Sequence, residues 1–479
     1  MIANHIDTAP LRHLGVFLVS LLLVWAGPLE AGAQQADDRV HGHVEGTVTV
    51  SPEVDDSGDY SGFDVLVAQQ TPEGVDTLGH ATTDVDGRFA MEVVAPQRDL
   101  YSLVIQRRNE TVASTSLVVA DGDSASFEVD LPMERPIRVS SFENSAWMAY
   151  ENTMGVHRQR LIDQLQAEDE DLEAFQTDQM EGQVRQTADI LWNLQDSYES
   201  SLGAQYAMAE SATMLVGWDE ALALDRAERI EPTNPRFAEV GQSVRPAVQQ
   251  MEGRDAAVAF LQDFHDRATT TDQRAALRTE MARLYIEEGE QDEALAIAEE
   301  LREEYPDTPW AEWAERAEYE VRNLMPGMAA PTFTAETVEE QSIDLDALQG
   351  QPVLLEFYVP SNDLFQRQLP ERNALHEGAS ESDLAYLSIS LQPDTLQNEA
   401  FFDGREVPGT HVFATEELAE SLIETYNIGA LPTRVLIDAE GNIVNKYEGG
   451  ALGALQDELT TLIGEGEDGG IPIEEGTDP

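Results

Sequence analysis

Residues 353–370 read Val-Leu-Leu-Glu-Phe-Tyr-Val-Pro-Ser-Asn-Asp-Leu-Phe-Gln-Arg-Gln-Leu-Pro. The apolar run Val353–Val359 predicts a strand, Pro360-Ser-Asn362 a short turn, and the residues from Asp363 onward a helix. A strand that runs through a tight turn into a helix presents its turn residues at the helix N-terminus. There the aligned peptide dipoles favour negative charge and would lower the pKa of a thiol. No thiol is present, because the chain has no cysteine. The segment therefore has the shape of a reactive site without the atom that reacts.

The chain has 479 residues, enough for about two to four domains. At its start, Arg12 and His13 precede the apolar run Leu14–Ala26, and Ala31-Gly-Ala33 follows as a small-residue cleavage site. This pattern predicts a secretory signal peptide over 1–33. The run is short for a membrane span and no later stretch is long enough. An exported protein without a transmembrane or lipid anchor, periplasmic or secreted, is expected.

The 92 acidic residues outnumber the 28 Lys and Arg, leaving a formal net charge of −64. Lys446 is the single lysine. Such a charge repels nucleic acid and anionic lipid headgroups, so neither is an expected partner. The acids are spread along the chain, a distribution that resembles proteins of extreme halophiles. At about 1 M salt the Debye length falls to about 3 Å, so self-repulsion is screened while hydrated carboxylates keep the surface soluble.

Residues 34–135 predict a β-sandwich. Strands are expected at Val44–Val50, Phe63–Gln69, Thr77–Thr83, Arg88–Val94, Tyr101–Arg107, Val112–Val119 and Ser126–Leu131, with period-2 alternation clearest in the first two. Asp84-Val-Asp-Gly-Arg-Phe89 predicts a hairpin whose Asp86-Gly87 pair supplies positive φ angles. Asp84-x-Asp86-Gly87 also begins like a calcium loop, but the later ligands are missing. His41 and His43 are read as part of a flexible polar N-terminus rather than a metal site. The Thr82–Phe89 segment resembles the carboxypeptidase-regulatory-like modules that precede thioredoxin domains in exported bacterial proteins.

Pro132–Ser141 is read as a linker, after which helical spacing takes over through 140–325. Gly217, Gly253 and Gly289 recur every 36 residues, followed by Ala221, Ala257 and Ala294. In Leu284–Pro306, Tyr285, Gly289, Ala294 and Pro306 match the aromatic, turn glycine, small packing residue and terminal proline of a tetratricopeptide repeat. The segment resembles a tetratricopeptide-like array of α-hairpins, and an ordinary helical bundle is the competing reading.

Residues 327–464 resemble the exported thioredoxin-like family that includes TlpA and ResA. The resemblance rests on several segments in order. The first is a proline-flanked opening strand, Ala330-Pro-Thr-Phe333, followed by the leader Ile343–Gly350. The strand-turn-helix around Val353–Pro370 comes next, with Pro370 at the family's helix kink. Then follow a strand at Leu384–Leu391, a helix at Thr395–Phe402 and a strand at Thr410–Phe413. Tyr426-Asn-Ile-Gly-Ala-Leu-Pro-Thr433, strand Arg434–Asp438, the Glu440-Gly441 turn, strand Asn442–Tyr447 and a helix from Ala451 close the match. Residues 465–479 are read as a disordered acidic tail. The predicted fold is thus multidomain: β-sandwich, α-helical array, then an α/β thioredoxin fold.

The resemblance places the family's two cysteines at Asn362 and Phe365. Disulfide exchange needs a thiolate, which neither side chain provides. A peroxiredoxin alignment from Pro360 puts its reactive position on Arg367, which fares no better. Asp363 suits the first helical turn. Glu356 aligns with the buried acid that serves as a proton relay in the family, where burial would raise its pKa toward neutrality. Here it is read as a vestigial or hydrogen-bonded core acid. Leu431-Pro432 aligns with the family's cis-proline, beside which an extended peptide pairs. Pro360, Asn362, Phe365, Leu431 and Pro432 would form the rim of a peptide-binding groove, unless Phe365 turns inward and fills the space of the second thiol. No metal or cofactor is expected. The function implied is a redox-inactive, exported module that binds envelope or secreted proteins and peptides. The alternatives are a thiol-disulfide oxidoreductase, which the missing cysteines oppose, and a structural envelope protein.

Overall fold

The computed structural model of the chain describes residues 39–54, 56–71, 74–165, 173–379, 384–403, 405, 407–450, 452–456, 458 and 459. The expected signal peptide and acidic tail lie outside these residues. The described residues form two compact units, one up to Glu280 and the other from Met281.

The first unit opens with β1 (Val40–Val50), β2 (Asp64–Thr71), β3 (Gly74–Thr82), β4 (Arg88–Ala95), β5 (Asp99–Arg107), β6 (Glu110–Val119) and β7 (Ser124–Leu131). Each expected strand is present, and they form two sheets in the orders β4-β1-β7 and β3-β2-β5-β6. Alternate residues such as Val44, Val48, Val65, Val67, Leu103 and Ile105 point into one shared core, the arrangement that period-2 sequences build when one face of each sheet is covered. Three local expectations are corrected. The Asp86-Gly87 turn forms, with Gly87 at φ 80° and its N–H donating to Asp84 O. It joins strands of opposite sheets instead of a paired hairpin, so it is a corner. A Cβ on Gly87 would sit 2.1 Å from Val48 O, so the glycine is required by contact as well as by φ. His41 and His43 lie within β1, paired opposite Val94 and Glu92, and not in a loose arm. The Pro132–Ser141 segment packs back on the sandwich, burying Ile137 and Val139 in its core.

The chain then enters α1 (Phe142–Leu165), α2 (Glu173–Trp192), α3 (Leu202–Thr213), α4 (Glu220–Glu228), α5 (Phe237–Glu252), α6 (Arg254–Arg267), α7 (Thr271–Glu287), α8 (Gln291–Glu304) and α9 (Pro309–Asn323). Gly217, Gly253 and Gly289 fall in the turns α3/α4, α5/α6 and α7/α8, all at positive φ, so the 36-residue period marks successive α-hairpin turns. Ala257 and Ala294 are buried, as small packing residues should be. Ala221 is exposed, and Ala223 takes its place in the core. Among the described residues no helix is long and apolar enough to cross a membrane.

The second unit continues from α8 and α9 into β8 (Thr334–Glu336), β9 (Ser342–Asp344), β10 (Val353–Tyr358), α10 (Asp363–Ala379), β11 (Ala385–Ser390), α11 (Thr395–Phe402), β12 (Thr410–Phe413), α12 (Glu416–Thr425), β13 (Thr433–Ile437) and β14 (Ile443–Glu448). The sheet order is β12-β11-β10-β13-β14; β10 runs parallel to β11 and antiparallel to β13. All six residues of β10 are buried. Val353, Leu355 and Phe357 enter one core, while Leu354 and Tyr358 enter the clusters on the opposite face. A strand buried on both faces explains why Val353–Val359 reads as a continuous apolar run. The expected opening strand at Ala330–Phe333 is instead an extended approach that touches the turn before β14 by a single bridge, Ala329 to Asn442, with Ala330 N–H donating to Gly441 O; the first strand of this unit, β8, begins at Thr334.

Helix α9 is fastened to this sheet. Lys446 Nζ on β14 lies 2.9 Å from Glu320 on α9 and 3.0 Å from the carbonyl of Asn427. Asn427 Nδ2 donates to Glu320 and to the carbonyl of Arg316, and Tyr319 Oη donates to Thr425 O.

Candidate functional site

The turn after β10 is braced on both sides. Asn362 N–H donates to Val359 O at 2.9 Å, and Gln366 Nε2 donates to Pro360 O at 2.7 Å. Asn362 Oδ1 accepts from the backbone N–H of Phe365 at 2.9 Å. This is an N-cap: a short polar side chain satisfying one of the amides that a helix start leaves free. The first expected cysteine position therefore holds the residue that caps α10. Asp363 occupies the first turn, where the macrodipole stabilises it.

Phe365, at the second position, is fully buried. Its ring stacks on Tyr358 with centroids 4.2 Å apart and packs against Phe401 at 5.9 Å. Of the two readings of this side chain, the inward one is correct, and Phe365 contributes nothing to a groove rim. The reason is hydrophobic: a phenyl ring at the base of a helix that covers an apolar sheet gains more from burial than from solvent exposure. Pro360 and Pro432 are also buried, while Asn362 and Leu431 are half-buried. The Leu431–Pro432 bond is cis, as expected.

Glu356 sits beneath this turn with no exposed surface, on the face of β10 that α10 covers. Cross-strand register puts Ser388 of β11 on one side of it and Arg434 of β13 on the other. Residues 365, 368 and 372 form the buried stripe of α10, spaced by three and four as one helix face requires. They bring Phe365, Gln368 and Arg372 down onto the sheet. Arg372 Nε lies 2.7 Å from Glu356 Oε2, and a terminal nitrogen of Arg434 lies 2.9 Å from Oε1. Ser388 Oγ donates to Oε2 at 3.0 Å. Arg372 also donates to Ser388 Oγ and Pro408 O, and its guanidinium lies over the Tyr386 ring at 4.9 Å. Arg434 donates to Gln368 Oε1.

This geometry overturns the expectation of a raised pKa at Glu356. Burial alone would push the carboxyl up, but Arg372, Arg434 and the Ser388 hydroxyl favour the ionised form more strongly and hold it below its ordinary value. Glu356 is a locked carboxylate, not a proton relay. Nearby groups offer no replacement chemistry. Burial drives Tyr358 and Tyr386 well above the usual tyrosine range, and burial lowers His376 and His411, with Arg372 adding to the effect. Two guanidiniums around one carboxylate hold charge in place; they have no nucleophile to activate.

Arg434, Arg372, Ser388 and Gln368 were missed in the sequence. Arg434 carried a signal, since it is the lone charge in the strand Thr433–Ile437 just as Glu356 is in β10, and antiparallel neighbours of that kind pair. Arg372, on a helix face shared with polar residues, carried none. Among the described residues no group of three His, Asp or Glu side chains comes together to hold a metal.

Residues 326–448 match the AhpC/TSA family. The thiol-disulfide oxidoreductase ResA of Halalkalibacterium halodurans is 27% identical over 137 residues, covering 29% of this chain and 76% of the relative. ResA of Bacillus thuringiensis strain Al Hakam is 26% identical over 125 residues, covering 26% of this chain and 69% of the relative. A solved structure, the thioredoxin domain of a thiol-disulfide oxidoreductase from Bacteroides vulgatus, aligns at 19% identity with a TM-score of 0.28, covering 29% of this chain and 99% of its own. In its C-terminal part the chain carries a thioredoxin-like domain of the AhpC/TSA family, similar to ResA-type thiol-disulfide oxidoreductases and built without a single cysteine.

Proposed function

We propose that this is an exported, redox-inactive thioredoxin-like protein that acts by binding proteins or peptides of the envelope, in the periplasm or outside the cell. One observation carries the reading: both positions of the family's redox pair are occupied by side chains with structural work, Asn362 as a helix cap and Phe365 as core. A ResA-type oxidoreductase would need a thiolate attacking a disulfide sulfur, and the chain has no sulfur nucleophile. With Phe365 inside, the remaining accessible rim beside the cis-proline consists of Asn362 and Leu431. The α-hairpins and the sandwich add further surface. The acids spread over the chain support a high-salt environment.

The test has two parts. Purified protein freed of contaminating thioredoxin should reduce insulin disulfides no faster than buffer; turnover above that background overturns redox inactivity. A photo-crosslinker placed at position 431 should capture a defined set of envelope proteins at high salt, and Leu431→Asp in the uncrosslinked protein should weaken their binding. If capture succeeds and Leu431→Asp binds normally, the contact surface lies in the α-hairpins or the sandwich.

A further inference from the structure

At the edge of the sheet away from the cis-proline, a half-open cavity of about 390 Å³ lies between the β8–β9 turn, α11 and β12. Its volume falls in the range typical of small-molecule sites. Phe402 and Phe413 line it with their rings, whose centroids are 5.6 Å apart. Val338 contributes an exposed apolar wall, and Glu339 and Glu399 contribute carboxylates. Neither carboxylate has an ion-pair partner among the described residues, and Glu339 accepts one long hydrogen bond, from Gln341 Nε2 at 3.5 Å.

His411 also lines the cavity and stacks edge-on against Phe402 at 4.7 Å. Its Nε2 lies 2.8 Å from Val407 O; a carbonyl only accepts, so Nε2 carries the proton and Nδ1 is a bare acceptor. Nδ1 is buried and has no hydrogen-bond partner among the described residues. Burial keeps the ring neutral, so no cation inside the cavity competes for the carboxylates.

We propose that this cavity binds a small organic cation, an ammonium or guanidinium head on an apolar body. Two carboxylates without an ion-pair partner among the described residues and two phenyl rings favour a cationic head on an apolar body, and the Gln341 amide and the Thr337 and Thr410 hydroxyls add neutral polar contacts. An extended peptide is a poorer occupant. The backbone of β12 at the cavity is already engaged by the chain itself, since Val338 N–H donates to His411 O at 2.9 Å and Thr337 bridges Val412. An added strand would find no free ladder there. The site is separate from the cis-proline rim and does not rest on the binding function proposed above.

The test is calorimetric titration of the full chain at the lowest salt that leaves its circular dichroism unchanged. Benzylammonium and its neutral counterpart benzyl alcohol are the probes. Benzylammonium should bind saturably and more tightly than benzyl alcohol. Glu339→Gln/Glu399→Gln should weaken benzylammonium by about threefold to tenfold, the scale of two exposed ion pairs, and leave benzyl alcohol unchanged. Glu303→Gln/Glu304→Gln, on the exposed face of α8, removes the same charge elsewhere and should have no effect. Equal binding of the two probes, absence of saturation, or equal weakening by both double variants would overturn the proposal, the last by tracing the attraction to the overall field of the acidic surface.

Discussion

Replacing Glu356 by Gln removes one charge from a fully buried triad and leaves two guanidiniums facing each other across a neutral amide. Breaking a buried ion pair by deleting one partner typically costs about 3–5 kcal/mol, because the remaining charge keeps its desolvation penalty and loses its compensation. Here a single carboxylate serves two arginines at 2.7 and 2.9 Å, which puts Glu356→Gln at the upper end of that range. A multidomain chain does not unfold as one unit, so the assay should be local: hydrogen exchange of β10 and α10 peptides read by mass spectrometry. Amides of β10 should exchange on the order of 10³–10⁴-fold faster than in the wild type. Glu356→Leu/Arg372→Met/Arg434→Met/Ser388→Ala, which removes the three charges and the Ser388 hydroxyl, should recover most of that protection, since well-packed apolar replacement of a buried ion cluster is often neutral. The triad also fixes an acid limb. The folded carboxyl is held below its unfolded value of about 4.3, so its contribution is complete above that pH and is lost as pH falls through the lower folded value. Protection of β10 in the wild type should decline along that limb, and Glu356→Gln should lack it. Exchange within threefold of wild type in Glu356→Gln would refute the reasoning and make the triad a bystander.

Three further outcomes are expected. Asn362→Cys/Phe365→Cys should form an intramolecular disulfide, seen as a 2 Da mass loss on oxidation (about two hydrogens), and should melt earlier than wild type, because losing a buried Phe ring costs about 3–5 kcal/mol; no disulfide would mean the positions are misassigned. Lys446→Met should loosen α9, since Lys446 is largely buried against Glu320 and the Asn427 carbonyl, and exchange in α9 should rise about tenfold or more; unchanged exchange would show the helix is held by packing alone. Moving from about 3 M to about 0.05 M salt, where the Debye length grows past 10 Å, should lower the melting temperature markedly for a chain of net charge −64; an unchanged cooperative melt would contradict the halophilic reading.

The strands and the strand-turn-helix were legible because they obey short-range rules. Asp363 opens α10, Thr395–Phe402 and Thr410–Phe413 are elements with those bounds, and the glycines at 217, 253 and 289 sit in turns. What failed needed information from far along the chain. The Asp86-Gly87 turn looks the same in sequence whether it joins paired strands or crosses between sheets. Ile137 and Val139 look like linker residues until the sandwich covers them. Helix α12, which begins after a Thr415 cap and two glutamates, was passed over between two family segments. Glu356 was placed correctly, but the sign of its pKa shift depended on Arg372 and Arg434, which lie 16 and 78 residues away in sequence.

The fastening of α9 gives the chain an unusual chemical property. Lys446 carries the only side-chain amine in the sequence, and its side chain is 11% exposed, held between Glu320, Glu448 and a backbone carbonyl. Acylating reagents that decorate most proteins at many places have here a single internal target, closed while α9 is docked. Covalent capture of that amine therefore timestamps each release of α9, and one mass increment reports directly how often the helix lifts from the sheet.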